Sequence, residues 1–101
     1  MQPFMLDLGF GERIVGDLHK GRPPSYLFLH GLGSVRIGEK SNSLLDHAVS
    51  NDRGFLRIDL RGHGESTGRL GGVAVSELIA DTVAVLERMA SERLGPTVVV
   101  G

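Results

Sequence analysis

Two glycine-rich stretches of the sequence combine sharp backbone turns with side chains that could take part in chemistry. The first, residues 30–33, reads His-Gly-Leu-Gly, and the second, residues 59–66, reads Asp-Leu-Arg-Gly-His-Gly-Glu-Ser. Glycine lets the backbone turn tightly and brings bare N–H groups close to a ligand. Such groups can bind the phosphates of a nucleotide or the oxyanion of an acyl-transfer intermediate. We therefore weigh both chemistries against the remaining residues.

A dinucleotide-binding site is the first interpretation of the glycines. Gly31 and Gly33 follow an apolar run, and Asp59 lies where a ribose-binding acid would belong, near the end of the next strand. Arg36, however, occupies the position of the third glycine, and the next helix is predicted to begin only after Gly38, too late for its N-terminus to reach a pyrophosphate. A Rossmann-type nucleotide-binding module stays as the weaker alternative.

The segment 64–68, Gly-Glu-Ser-Thr-Gly, matches the G-x-S-x-G pattern of a nucleophile elbow letter for letter. An elbow needs its serine on a strained turn directly between a strand and a helix. Here residues 61–63 separate Ser66 from the preceding strand, residues 69–72 delay the following helix, and no histidine follows His63. We therefore predict that Ser66 is structural and that its hydroxyl bonds to nearby backbone.

The polar side chains of both stretches are predicted to shape the loops. His30 is expected to bond within its loop rather than to act as an acid or base. Asp59, Arg61 and His63 are expected to form turns and ion pairs in the second stretch. The spacing of the four histidines suggests no metal site.

Apolar patterns predict the strands that hold these stretches. Alternation over residues 4–8 and 14–18 predicts an antiparallel hairpin, and a turn is expected at residues 20–24. Three further strands are predicted at residues 26–29, 54–60 and 97–100. The first and the last of these are expected to be buried, whereas the two faces of the middle strand are not equally apolar.

Two helices are predicted between the later strands. The first is about three turns long and is centred on Leu45. The second follows an N-cap at Ser76. Its apolar stripe is predicted to contain Ile79, Val83, Leu86 and Ala90, with Asp81 among the polar positions. A hairpin followed by βαβαβ is an α/β pattern, in which right-handed crossovers place the later strands in one parallel sheet and the helices on opposite faces.

The composition and charge of the chain limit which classes of binding partner are expected. A length of 101 residues suits one small domain, and 11 basic against 12 acidic residues give a net charge of -1. No basic run indicates nucleic acid or an anionic membrane as a partner. Cysteine is absent, and no signal-peptide pattern or membrane span is visible. We predict a cytoplasmic location.

Taken together, the motifs resemble the α/β-hydrolase superfamily. His30-Gly31 after one strand and residues 59–66 after the next, with an opening hairpin before them, cover nearly the whole chain. Residues 39–48 are further similar to the esterase and acyl-protein thioesterase branch. The resemblance implies that residues 1–101 are a single, incomplete domain, the N-terminal part of that fold. The residues that match motif or structural positions of the family are His30, Gly31, Gly33, Asp59, Arg61, Gly62, His63, Gly64 and Ser66.

The resemblance also implies a reaction. Family members use a serine nucleophile on ester or thioester bonds of small molecules without a cofactor, and the resemblance assigns one oxyanion donor to the backbone N–H of Leu32, with Gly33 as the next position to test. The serine elbow follows the fifth strand, so Gly101 matches its first glycine. The nucleophile, acid and histidine would then lie beyond this chain. We expect residues 1–101 alone to be inactive and to self-associate or to need a missing C-terminal part. A non-catalytic binding protein of the same fold is the alternative.

Overall fold

The computed structural model describes residues 1–101 and contains a five-stranded mixed sheet with the order β1-β2-β4-β3-β5. The elements are β1 Gln2–Gly9, β2 Glu12–His19, β3 Arg22–Leu29, α1 Glu39–Ser50, β4 Arg53–Ile58, α2 Val75–Ser91 and β5 Thr97–Val100. β1 and β2 form an antiparallel hairpin, β2 pairs antiparallel with β4, and β3 pairs parallel with both β4 and β5. The predicted α/β class, a hairpin followed by βαβαβ, is confirmed.

The two helices cover opposite faces of the sheet, as predicted. Because successive side chains of a strand point to opposite faces, β4 contributes Leu56 and Ile58 to one core and Phe55 to the other. The larger core lies under α2 and contains Phe4, Ile14, Leu18, Leu27, Leu56, Ile58, Leu60, Val85, Met89 and Leu94. The smaller core, under α1, contains Phe28, Ala48 and Phe55. Neither helix combines the length and the apolar character needed to cross a membrane.

Two strand boundaries differ from the prediction. β3 begins at Arg22, so the prolines of the predicted turn belong to the strand. Arg22 pairs with Arg53, and regular pairing resumes only at Tyr26. The prolines therefore occupy an irregular stretch in which their missing N–H groups cost no ladder hydrogen bond. β4 ends at Ile58, so Asp59 begins the loop instead of ending the strand.

The start of α2 was also predicted wrongly. The helix begins at Val75 with Ala74 as its N-cap, and Ser76 lies inside the first turn. The carboxylate of Glu77 accepts a hydrogen bond from the Ala74 N–H at 3.0 Å. A side chain within the helix, and not a serine cap, thus satisfies the N-terminal donor.

The buried face of α2 is rotated from the predicted stripe. Val85 and Met89 are buried, whereas Ile79 is 60% and Val83 is 47% exposed. Asp81, placed by sequence among the polar positions, is only 3% exposed. The helix has apolar residues over a wide arc, and its contacts with the sheet and with Arg61 select which part of that arc faces inward.

β5 is less buried than predicted. It has a neighbour only on the β3 side, and Val98 and Val99 are 45% and 47% exposed. Apolar composition predicted burial, but burial of a strand depends on what lies beside it.

Candidate functional site

Two loops meet at one edge of the sheet and form the candidate site. The first loop, residues 30–38, leaves β3, and the second loop, residues 59–74, leaves β4. β3 and β4 are parallel neighbours, so both loops emerge at their carboxyl ends. This edge is where open α/β sheets bind their ligands.

A pair of buried histidines joins the two loops reciprocally. Nε2 of His30, in the first loop, accepts a hydrogen bond from the N–H of Leu60 at 2.9 Å. Nε2 of His63, in the second loop, accepts one from the N–H of Gly33 at 2.9 Å. The ring centroids are 4.8 Å apart, and the residues are 6% and 5% exposed. We call this pair, with its two backbone donors, the histidine clasp.

Arg36 forms a second connection between the loops and the sheet. Its guanidinium binds Asp17 of β2 at 3.0 Å, Asp59 at 2.5 Å and Glu65 at 2.8 Å. Burial alone would lower the pKa of Arg36, but the hydrogen bonds to Glu65, Asp17 and Asp59 outweigh burial and raise its pKa. The guanidinium therefore stays charged while only 9% of the residue is exposed. Sequence reasoning noted Arg36 only as a missing glycine; an arginine inside a glycine-rich loop was the available signal.

Asp59 faces the interior and has no exposed surface. Its carboxylate accepts hydrogen bonds from the Arg36 N–H at 2.8 Å and the Glu65 N–H at 2.9 Å, in addition to the guanidinium. Gly64 packs directly on this carboxylate, has φ +49, and leaves no room for a Cβ. Asp59 is thus enclosed by its own loops, a geometry that does not fit the ribose-binding role of the nucleotide alternative.

Ser66 is also buried, at 8% exposure. Its hydroxyl donates to the carbonyl oxygen of Asp59 at 2.6 Å and accepts from the N–H of Val15 at 2.9 Å. The segment 64–68, which matches the elbow pattern, therefore connects the second loop to β2 instead of presenting a hydroxyl at the carboxyl ends of the strands. The bond to Val15 spans 51 residues of sequence, which the sequence did not predict.

Arg61 anchors the second loop to α2. Its guanidinium binds both carboxylate oxygens of Asp81 at 2.8 Å and one oxygen of Glu77 at 3.0 Å. The hydrogen bonds that Arg61 donates to Asp81 raise the pKa of Arg61. Asp81 was the partner missed by sequence, although a carboxylate beside an apolar stripe was the signal. Gly62, with φ +81, lies against the backbone of Arg69 and so lets the loop fold back on itself.

The first loop exposes backbone donors. The N–H groups of Gly33 and Ser34 bond to His63 and to the Gly31 carbonyl, whereas those of Gly31 and Leu32 have no acceptor within residues 1–101. Leu32 as a whole residue is 71% exposed. The Leu32 N–H is therefore available to a ligand, and the Gly33 N–H is already occupied.

A concave surface continues from the first loop toward the end of β5. One cavity of about 410 Å³ is lined by Phe28, His30, Gly31, Ser34, Val35, Gly38, Glu39, Lys40 and Ser41. A neighbouring cavity of about 460 Å³ is lined by Phe28, Glu39, Lys40, Ser43, Leu44, Val100 and Gly101. The shared lining residues place Gly101 and the first loop on one continuous surface.

The described residues contain no assembled nucleophile. No serine hydroxyl of the chain hydrogen-bonds to a histidine ring, and Nε2 of both clasp histidines is occupied by a backbone N–H. No group of three or more histidine, aspartate or glutamate side chains in residues 1–101 has the geometry to hold a metal ion. The arrangement offers backbone donors for a developing negative charge, held by a buried polar network.

Comparison with known proteins gives matches to larger chains. No protein-family model matches the sequence. The chain is 30% identical over 82 residues to "Palmitoyl-protein thioesterase ABHD10, mitochondrial" of Rattus norvegicus, a match covering 81% of this chain and 27% of that protein. The Mus musculus protein of the same name matches to the same extent. The chain thus spans about a quarter of the length of these curated relatives.

Solved structures agree over almost the entire chain. Mouse alpha/beta hydrolase domain-containing protein 10 superposes with a TM-score of 0.89 at 26% identity, covering 100% of this chain and 39% of that one. Est1E from Butyrivibrio proteoclasticus, with ferulic acid bound, gives 0.87 at 16% identity, covering 97% and 41%. The Pyrococcus furiosus esterase Pf2001 gives 0.74 at 21%, covering 99% and 40%. By this fold and these similarities the chain corresponds to the N-terminal portion of the α/β-hydrolase fold.

Proposed function

We propose that the chain is the N-terminal portion of a serine hydrolase that cleaves ester or thioester bonds of small molecules. The observation that carries the proposal is the free Leu32 N–H, which lies in the loop at the carboxyl end of β3, whereas the N–H groups of Gly33 and Ser34 in the same loop are bonded. The names of the matched relatives, a palmitoyl-protein thioesterase and esterases, support the choice of ester and thioester substrates.

The proposed mechanism assigns one task to these residues. A serine attacks the substrate carbonyl, and the carbonyl oxygen becomes an oxyanion in the tetrahedral intermediate. The Leu32 N–H donates one hydrogen bond to that oxygen, and a second donor follows the nucleophile. No cofactor takes part in this scheme.

The nucleophile is proposed to lie two positions after Gly101, which is the first glycine of G-x-S-x-G. Gly101 lines the same concave surface as the residues of α1 that adjoin the first loop. A serine placed there would follow β5 directly, as an elbow requires. The acid and the histidine of the triad are assigned to later residues of the full-length protein.

Labelling of the full-length protein with a fluorophosphonate probe tests the proposal. We expect labelling of one serine, hydrolysis of p-nitrophenyl esters or acyl thioesters, and loss of both when the serine two positions after Gly101 is replaced by alanine. A folded protein with neither labelling nor turnover would instead be the non-catalytic binding protein. Purified residues 1–101 are expected to show no turnover because the nucleophile lies outside them.

The proposal includes two further predictions, on self-association and on cellular location. Residues 1–101 alone are expected to self-associate, because β5 is an edge strand with exposed valines and unpaired backbone groups. Sedimentation over a range of concentrations measures the degree of self-association.

The cytoplasmic location stays a prediction, while the names of two relatives read "mitochondrial"; fractionation of cells that express the full-length protein distinguishes the two compartments.

A further inference from the structure

The histidine clasp determines where the protons of both rings reside. A ring nitrogen that accepts a hydrogen bond from an N–H group carries no proton, so Nε2 of His30 and of His63 is unprotonated. In a neutral ring the proton then lies on Nδ1. Nδ1 of His30 donates to the Gly31 carbonyl at 2.7 Å, and Nδ1 of His63 donates to the Arg61 carbonyl at 3.0 Å. Each ring is therefore bonded on one side to its own loop and on the other side to the opposite loop.

Protonation is incompatible with this arrangement. An imidazolium ring donates from both nitrogens and accepts at neither. A proton on Nε2 of His63 would point at the N–H of Gly33, and one on Nε2 of His30 would point at the N–H of Leu60. The corresponding hydrogen bond must then break, and the backbone of the opposite loop must move away.

The charged groups around the rings offer an imidazolium no partner. On the side of the second loop, Asp59 and Glu65 bind Arg36, and Arg61 binds Asp81 and Glu77. On the side of α1, Glu39 and Lys40 line the cavity beside His30. None of these side chains hydrogen-bonds to either ring, and each ring faces the other at 4.8 Å. Charging one ring therefore costs a loop contact and gains no ion pair.

We infer that His30 and His63 are positioning residues that hold the first loop with its Leu32 N–H free, and that protonation of either ring releases the loop. The clasp itself follows from the hydrogen bonds, and its consequence for catalysis rests on the proposed function. Gly33 is adjacent to Leu32, so the bond from Gly33 to His63 fixes the peptide next to the proposed donor. Protonation of the histidine clasp would therefore displace the proposed Leu32 donor in acid, independently of the catalytic histidine.

Nuclear magnetic resonance of the full-length protein tests the clasp without reference to activity. Imidazole spectra and amide hydrogen exchange are recorded from about pH 8 to about pH 5, where imidazole ordinarily changes charge. We expect protection of the Gly33 and Leu60 amides to fall roughly tenfold or more as the rings protonate. The Arg36 amide is the internal control, because it lies in the same loop as Gly33 but bonds to the Asp59 carboxylate, so its protection should not change in step with the rings.

Two variants separate the role of the ring from that of its charge. His63→Gln supplies an acceptor that does not titrate, so protection of the Gly33 amide should become independent of pH while that of Leu60 still falls. His63→Ala removes the acceptor, so the Gly33 amide should be unprotected at every pH. In activity assays, His63→Ala should lower kcat more than it changes KM, and His63→Gln should restore most of kcat.

The outcomes are distinct. Unchanged Gly33 protection while the spectra show a protonated His63 overturns the inference, as do rings that stay neutral to pH 5 in the folded protein. If His63→Ala fails to fold, the wild-type and His63→Gln exchange profiles still decide. Exchange as expected in a protein that hydrolyses no ester leaves the clasp standing and removes the proposed function.

Discussion

Both loops at the carboxyl ends of β3 and β4 bury polar side chains, and the first loop also exposes its apolar residues. In the first loop the apolar residues Leu32, Val35 and Ile37 are 71%, 45% and 55% exposed, while the polar residues His30 and Arg36 are buried. Hydrophobicity alone would give the reverse. The polar side chains point inward because the second loop and β2 hold their hydrogen-bond partners.

The second loop instead stabilises itself and its neighbours. Asp59, His63 and Ser66 are buried, and each bonds to backbone of the loops or of β2. The comparison supports the proposal that the second loop is the support and that the first loop presents the Leu32 N–H to a ligand. Similar glycine content therefore does not imply similar roles. The following predictions, ordered from the largest effect to the smallest, test this division.

Removal of the central carboxylate should have the largest effect. Asp59→Ala leaves Arg36, whose side chain is 10% exposed, without its most buried partner. Breaking such a buried pair costs about 3 to 5 kcal/mol of unfolding free energy. Urea denaturation of the full-length protein measures this. The matched control is Arg22→Ala, whose ion pair with Asp52 is exposed and should contribute under about 1 kcal/mol. Equal losses in both variants would contradict a supporting role for the second loop.

Substitutions at Leu32 test whether the first loop is the reactive surface. Leu32→Pro removes the N–H and should lower kcat by about a hundred- to a thousandfold, or about 2.7 to 4 kcal/mol of transition-state stabilisation. Leu32→Ala keeps the donor and should stay within about tenfold. The comparison requires both full-length variants to melt near wild type, because proline also restricts the preceding backbone. Equal kcat values would move the donor to the other unbonded N–H, that of Gly31.

The elbow-like serine should affect stability and not chemistry. Ser66→Ala leaves the Val15 N–H and the Asp59 carbonyl without their hydroxyl partner, which should cost about 1 to 3 kcal/mol. Fluorophosphonate labelling should persist. Ser34→Ala, whose exposed hydroxyl makes no hydrogen bond, is the control and should change stability by less than about 0.5 kcal/mol. Loss of labelling in folded Ser66→Ala would identify Ser66 as the nucleophile.

Acid should weaken the attachment of the first loop through Asp17. Burial alone would raise the pKa of Asp17, but hydrogen bonds from Arg36 and Arg57 outweigh it and hold the pKa below its usual value. The stabilisation is therefore fully present above the unfolded pKa of about 4 and is lost as the pH falls through the folded pKa. In urea titrations, Asp17→Asn should be less stable than wild type at neutral pH and should lose less stability below about pH 4. Parallel stability curves for the two proteins would argue against this role.

Much of the architecture followed from local sequence pattern. Alternating residues in β1 and β2, apolar runs in β3 and β5 and helical spacing in α1 gave the order of elements, and crossover handedness gave the parallel pairing. These features depend on side-chain periodicity within a few residues and on chain chirality. The spacing around Ser66 likewise predicted a structural serine, because an elbow must join a strand to a helix directly.

The interior of the candidate site was decided by the tertiary structure. Arg36 binds Asp59 across 23 residues of sequence, and the clasp bonds of His30 and His63 each span 30. The rotation of α2, with Asp81 inward, depends on Arg61 in the same way. Periodicity reports which side chains share a face, but a polar residue is buried only where a partner elsewhere in the chain satisfies its hydrogen bonds or charge. That partner is fixed when the strands pair and the loops meet, which no local pattern encodes.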